Sequence, residues 1–179
     1  EQALTDARGD STFGEAPRQV VIAEAQIALG QLEGARESMA RALALAPKDP
    51  EVRLTEARLL WAGGETEASL ARLDELLEAH PQAARAALLR GRFALSLGKA
   101  AEAAEAFGIA RSNAKQLTIG DRFLAHAGLV ESKLAQNDIA GAEVDLQAAQ
   151  NLAPEAVPTR YLKARLAVAK RDFPTAITE

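Results

Sequence analysis

The chain is 179 residues long, 48% hydrophobic, 26% charged and only 4% aromatic, a balance that fits a folded domain or a short repeat array. Alanine and leucine carry most of the apolar fraction, and both lose little on entering a helix. A formal charge of −4 supplies no basic field for nucleic acid, the absence of cysteine excludes disulfides, thiolate nucleophiles and thiolate-bound zinc, and no apolar run approaches the roughly 18 residues of a membrane span.

Residues 1–8 read as the end of a preceding helix and Gly9 to Ala16 as a loop, so segment 1–15 stands apart from the rest of the chain. First helices of successive units are expected at 17–29, 50–62, 84–97, 119–135 and 158–170. Their second helices are expected at 33–46, 66–79, 100–114, 139–152 and 173–179. The extra residues from Ala114 to Gly120 either lengthen a helix or form a bulging loop. Glu1 is not a start methionine, and Phe173 to Glu179 stops after about two turns. Both ends therefore read as cuts in a longer protein.

The expectation of helix pairs comes from an internal repeat. Gly30, Gly64 and Gly98 recur every 34 residues, as do Pro47 and Pro81. Ala23, Ala57 and Gly91 keep the same step, followed by Ala35, Ser69 and Ala103, and by Met39, Leu73 and Phe107. Five extra residues later the pattern resumes with Val130, Asn137, Ala142, Leu146 and Pro154, and then with Ala164, Arg171 and Ala176. The small residues let helices approach closely. The glycine takes the left-handed conformation that ends a helix, with Asn137 and Arg171 as progressively poorer substitutes. Proline stops the second helix, and Asp49 followed by Pro50 is a cap and a first-turn residue for the next. Asp138 and Asp172 are further cap candidates.

This arrangement resembles the tetratricopeptide repeat (TPR) family over residues 16–179. The resemblance implies an all-α fold, a right-handed α-solenoid of stacked helix–turn–helix units. These units are 16–49, 50–83, 84–120 with the insertion, 121–156 and a truncated 157–179. Two departures stand out. The fourth position is aromatic in no unit, being Gln19, Arg53, Ala87, His126 and Arg160, and the seventh is charged in three, as Glu56, Arg90 and Lys163.

The resemblance also implies that first helices line a concave groove where a peptide or helical segment binds. The implied contact residues are Leu54, Arg58, Trp61, Leu88, Arg92, Leu95, Glu131, Tyr161 and Arg165. Fifth and twelfth positions would form two apolar rows, edged by ninth-position charges reading Glu, Arg, Arg, Glu, Arg. Arg58 and Arg92, one repeat apart, would repel unless an anion sat between them. Trp61 is the single tryptophan, and Trp and Arg are favoured at binding hot spots.

Enzyme chemistry finds no footing. His80 and His126 have no metal-ligand partner at helical spacing, and Gly63-Gly64 is the repeat turn, not a phosphate loop. No cofactor, metal or nucleic-acid partner is expected, nor direct membrane insertion. The expected function is a non-catalytic scaffold for a partner protein or a neighbouring domain of the same chain. Short runs such as Ala28-Leu29-Gly30-Gln31-Leu32, Leu88-Leu89-Arg90-Gly91 and Tyr161-Leu162-Lys163-Ala164 resemble repeat proteins of bacterial exopolysaccharide and exosortase (PEP-CTERM) systems. That resemblance implies a periplasmic or envelope setting in polysaccharide synthesis, export or protein sorting. The alternatives are a module that touches the polysaccharide itself, or a structural spacer. Sugar platforms stack rings on several aromatics, and Trp61 and Tyr161 are few and far apart. The exposed last repeat, around Tyr161, Leu162 and Leu166, is expected to support self-association.

Overall fold

Residues with positive φ punctuate the chain. The computed structural model describes residues 14–179. Gly30, Gly64 and Gly98 have φ of 71°, 82° and 74°, and Asn137 and Arg171 take the same place at 60° and 61°. In each case the next amide donates back to a carbonyl near the helix end. These bonds are Gln31 to Gln26 at 2.8 Å, Glu65 to Leu60 at 2.9 Å, Lys99 to Ala94 at 2.9 Å, Asp138 to Lys133 at 2.8 Å and Asp172 to Ala167 at 2.9 Å. Arg171 thus makes the same turn as glycine, against the usual steric cost of that conformation.

The turns separate ten helices among the described residues: α1 (Glu15–Ala28), α2 (Leu32–Leu45), α3 (Pro50–Ala62), α4 (Thr66–Ala79), α5 (Ala84–Ser96), α6 (Ala100–Ser112), α7 (Ile119–Ala135), α8 (Ile139–Leu152), α9 (Val157–Ala169) and α10 (Phe173–Thr178). Four of them, α3, α4, α7 and α8, coincide with the ranges expected from the repeat, and the others differ by one or two residues at an end. The expected helix end over 1–8 lies outside the described residues, and the loop expected through Ala16 gives way to helix at Glu15.

Local chemistry starts the helices. Asp49 Oδ1 accepts from the amides of Glu51 at 2.8 Å and Val52 at 3.2 Å, and Asp138 Oδ1 accepts from Gly141 at 2.9 Å. Asp172 Oδ1 accepts from Thr175 at 3.3 Å. The insertion does both things open to it: Ala114–Gln116 forms a 3-10 turn, and α7 grows to 17 residues against 13 in α5 and α9. Leu117 is buried beneath it, and Thr118 Oγ1 caps α7 by accepting from Asp121 at 3.1 Å.

The chain divides into two compact bodies, one running through Ala79 and the other His80–Glu179. In the first, α1 packs on α2 and on α3, and α3 on α2 and α4. Ala23, Ala35 and Ala57 are fully buried there, beside Val20, Met39, Val52 and Leu59. In the second, α5 to α10 continue the same pairing. Ala103 and Ala142 are fully buried, and Val130, Leu146, Leu162 and Leu166 form the core of its later part.

The tightest approach in the second body surrounds Phe107 on α6, itself 1% exposed. A Cβ added at Gly91 on α5 would lie 2.8 Å from this ring, and one at Gly128 on α7 would lie 2.3 Å from it. Two glycines thus leave the space that one phenylalanine fills. Gly108, on the same helix as Phe107, has nothing within 4 Å of such a Cβ. Gly128→Ala should therefore destabilise by about 1–3 kcal/mol through overpacking, and Gly91→Ala by somewhat less. Gly108→Ala should stabilise by up to about 1 kcal/mol through helix propensity. Urea unfolding of the three variants checks the order; three equal effects would contradict the wedge.

Candidate partner-binding face

Helix contacts define an inner and an outer side within each body. First helices touch their successors: α1 packs on α3 in the first body, and in the second α5 packs on α7 and α7 on α9. The substantial contacts of second helices are with the following first helix: α2 on α3, α6 on α7 and α8 on α9. The side on which successive first helices meet is the inner face of each body.

The structure sorts the nine expected contact residues. Leu54 is 3% exposed and Leu88 is 6% exposed, so both belong to the core rather than to an open apolar row. Val20, at the same repeat position, is buried too. The small residues beside this column draw neighbouring helices so close that its side chains close over. Trp61, Leu95 and Leu134, from the twelfth column, are half-buried. Openly displayed are Arg92 and, in the last two repeats, Leu124, Tyr161, Arg165 and Val168, with Leu124, Tyr161 and Val168 at 42%, 54% and 53% exposure. Leu134, Tyr161, Ala164, Arg165, Val168 and Ala169 surround a shallow depression of about 330 Å³.

The ninth-position charges largely neutralise one another. Arg58 Nη1 donates to Glu24 Oε1 at 2.5 Å, and the same oxygen accepts from Thr55 Oγ1 at 3.3 Å. Repulsion between bare Arg58 and Arg92 is thus replaced, on the Arg58 side, by an ion pair inside the first body. In the second body Arg165 reaches Glu131 at 3.7 Å and lies 5.7 Å from the centre of the Tyr161 ring.

Charges at the seventh position find partners between paired helices. Glu56 Oε2 accepts from Arg53 at 2.9 Å and lies 3.0 Å from Arg72 Nε. Arg90 lies 3.4 Å from Glu102, and Lys163 lies 3.5 Å from Glu179.

Sequence reasoning missed one cluster. Asp145 on α8 is 1% exposed, the one charged residue among the buried polar side chains described. Lys133 Nζ donates to its Oδ2 at 2.6 Å, and Arg111 Nη1 donates to its Oδ1 at 3.1 Å. His126 Nδ1 lies 2.9 Å from the same Oδ1. Three helices thus converge on one carboxylate, in the repeat where His126 stands at the position an aromatic would occupy. Burial pushes the Asp145 pKa up, but the hydrogen bonds from His126 and Lys133, with the charges of Lys133 and Arg111, outweigh it and hold the carboxyl at about 2. The available signal was the pair His126 and Lys133, two turns apart on one helix face that is otherwise apolar. Among the described residues no group of His, Cys, Asp and Glu could hold a metal ion, and no helix is long and apolar enough to cross a membrane.

Residues 26–93 match the family model described as Tetratricopeptide repeat. No curated protein matches the chain. Among solved structures the chain is similar to MamA of Desulfovibrio magneticus RS-1, with a TM-score of 0.76 and 18% identity over 94% of this chain and 92% of that one. It is similar to pilF of Pseudomonas aeruginosa, with a TM-score of 0.80 and 16% identity over 92% of this chain and 72% of that one. A tetratricopeptide repeat protein of Parabacteroides merdae gives a TM-score of 0.72 and 18% identity, covering 99% of this chain and 68% of that one. At such identities the likeness is one of fold: an α-solenoid of helix–turn–helix units.

Asp145 is ionised in the folded state at a pH where it would be protonated in an unfolded chain. Its contribution is present above about pH 4 and is lost as pH falls towards 2. A pKa difference of nearly two units corresponds to about 2 kcal/mol. Urea unfolding should show the parent losing roughly that much over this range beyond what Asp145→Asn loses. At pH 7, Asp145→Ala should cost about 3–5 kcal/mol, because it leaves the cations without their carboxylate. Equal pH dependence in parent and Asp145→Asn would contradict the assignment.

Proposed function

We propose that the chain is a non-catalytic tetratricopeptide scaffold whose inner first-helix face receives a peptide or helical segment of a partner protein, or of a neighbouring domain of the same chain. The observation that carries this reading is the open apolar surface on α7 and α9. Leu124, Tyr161 and Val168 are each about half exposed, the last two beside a depression of about 330 Å³. Isolated exposed apolar residues are ordinary, but Tyr161 and Val168 flank one depression that Leu134 also lines, and such grouping marks an interaction surface. Tetratricopeptide proteins generally act by binding other proteins, and the repeat match and fold support that class of job here.

A polysaccharide-contacting module fits less well. Trp61 is half-buried, and Arg165 lies over the ring of Tyr161, so the inner face offers no open row of stacking platforms. The envelope setting, with a role in polysaccharide synthesis, export or sorting, forms part of the proposal and is supported by short sequence runs such as Tyr161-Leu162-Lys163-Ala164. Self-association through the last repeat belongs to it as well: of the three residues expected to carry it, Leu162 and Leu166 are instead buried in the core and Tyr161 is open, and the support comes from Tyr161 and from the exposure of Phe173 at 57% and Ile177 at 85% on α10.

Affinity capture from a bacterial envelope extract tests the reading. The parent is compared with a variant carrying Leu124→Ser, Tyr161→Ala and Val168→Ala, after circular dichroism shows unchanged helicity. A protein held by the parent and reduced at least about tenfold on the variant is expected, since a few apolar anchors dominate such interfaces. Equal retention would contradict it.

A further inference from the structure

Charges on the inner face are unequally available. The ninth position of each repeat is Glu24, Arg58, Arg92, Glu131 and Arg165 in turn. Glu24 is taken by Arg58 at 2.5 Å in the first body, and Glu131 by Arg165 at 3.7 Å in the second. Arg92 is left over. It is exposed on α5, and among the described residues it makes no hydrogen bond, ion pair or ring contact.

That leftover charge has a chemical consequence. In the second body Glu131 and Arg165 cancel, so its three ninth positions carry a net charge of +1 at Arg92 although the chain carries −4. A guanidinium is a planar fork whose paired N–H donors match a carboxylate bidentately, and it cannot shed its charge. Around Arg92 the same helix offers Leu95 one turn on, half-buried, with Leu88 buried one turn back. The same body displays Leu124, Tyr161 and Val168 on the following first helices. A ligand spanning this face meets Arg92 and then apolar surface.

We propose that Arg92 is the carboxylate anchor of this face, and that the partner is an internal protein segment carrying an Asp or Glu side chain beside apolar residues. The inference rests on the reading of the inner face as a partner site and adds the chemistry of what it takes. Because Arg92 is exposed, its attraction is screened by salt, so the acidic residue sets orientation and register while the apolar contacts supply most of the affinity.

The test is selection from a displayed library of random twelve-residue peptides fused at their C-terminal ends, with a second library displaying free C-termini. The targets are the parent, Arg92→Gln and Tyr161→Ala with Val168→Ala. Among the described residues Arg92 has no partner to lose, so Arg92→Gln is expected to keep the fold, which unchanged helicity by circular dichroism checks. Parent-selected peptides from the fused library should be enriched in one Asp or Glu flanked by Leu, Ile or Phe. Arg92→Gln should lose the acidic enrichment, and synthetic versions of the parent-selected peptides should bind it about tenfold more weakly at low salt. The same acidic enrichment on Arg92→Gln would overturn the proposal, as would enrichment confined to free C-termini. Peptides that lack acids yet are lost on Tyr161→Ala with Val168→Ala would leave the partner face standing and remove Arg92 from it. Recovery of no peptide by any target would overturn both.

Discussion

Close approach of helices through small residues is the constraint on which this structure depends. Ala23, Ala35, Ala57, Ala103 and Ala142 have no exposed surface, and Gly91 and Gly128 leave room for the Phe107 ring. Backbones brought this near gain dispersion along their length, but they leave little space for the large aromatic side chains that often knit such hairpins. The chain, only 4% aromatic, ties its helix pairs with polar groups instead. Gln26 accepts from Ser38 at 2.9 Å, Glu56 meets Arg72 at 3.0 Å, and Lys133 meets Asp145 at 2.6 Å. Exposed pairs of this kind are worth about 0–1 kcal/mol, whereas the buried Asp145 cluster is costly to break.

The same constraint shapes the candidate site. Helices drawn together by alanine bury Leu54 and Leu88, so the inner face is narrower in apolar surface than a residue-by-residue reading implies. What stays open lies towards the last two repeats, where Tyr161 and Val168 stand beside a depression. In the first body Glu24 neutralises Arg58, and in the second Glu131 neutralises Arg165, so much of the charge at the ninth positions is spent within each body.

Helix boundaries were legible in the sequence because their determinants are local. Glycine and its substitutes set the turns, Asp49, Asp138 and Asp172 set the starts, and each acts within four residues. Arg171 was legible as a turn only through its place in the repeat, since arginine alone carries no such signal. The insertion was half legible: its extra length was plain, but its division into a 3-10 turn and a longer α7 depends on burying Leu117. Depth of burial at Leu54 and Leu88 depends on how tightly neighbouring helices approach, which no single position encodes. The Asp145 cluster draws on α6, α7 and α8 at once, with Arg111 34 residues from its partner, and only the fold brings the three together.

The central claim is that the inner first-helix face, rather than the outer surface, meets a partner protein. Site-specific photo-crosslinking in cells tests it most directly, with a photoreactive phenylalanine analogue at Tyr161 on the inner face or at Val144 on α8, which is 67% exposed. Discrete crosslinked species containing a second protein at Tyr161, and none at Val144, are the result the account predicts. Crosslinks from Val144 alone, or the same species from both sites, would contradict it.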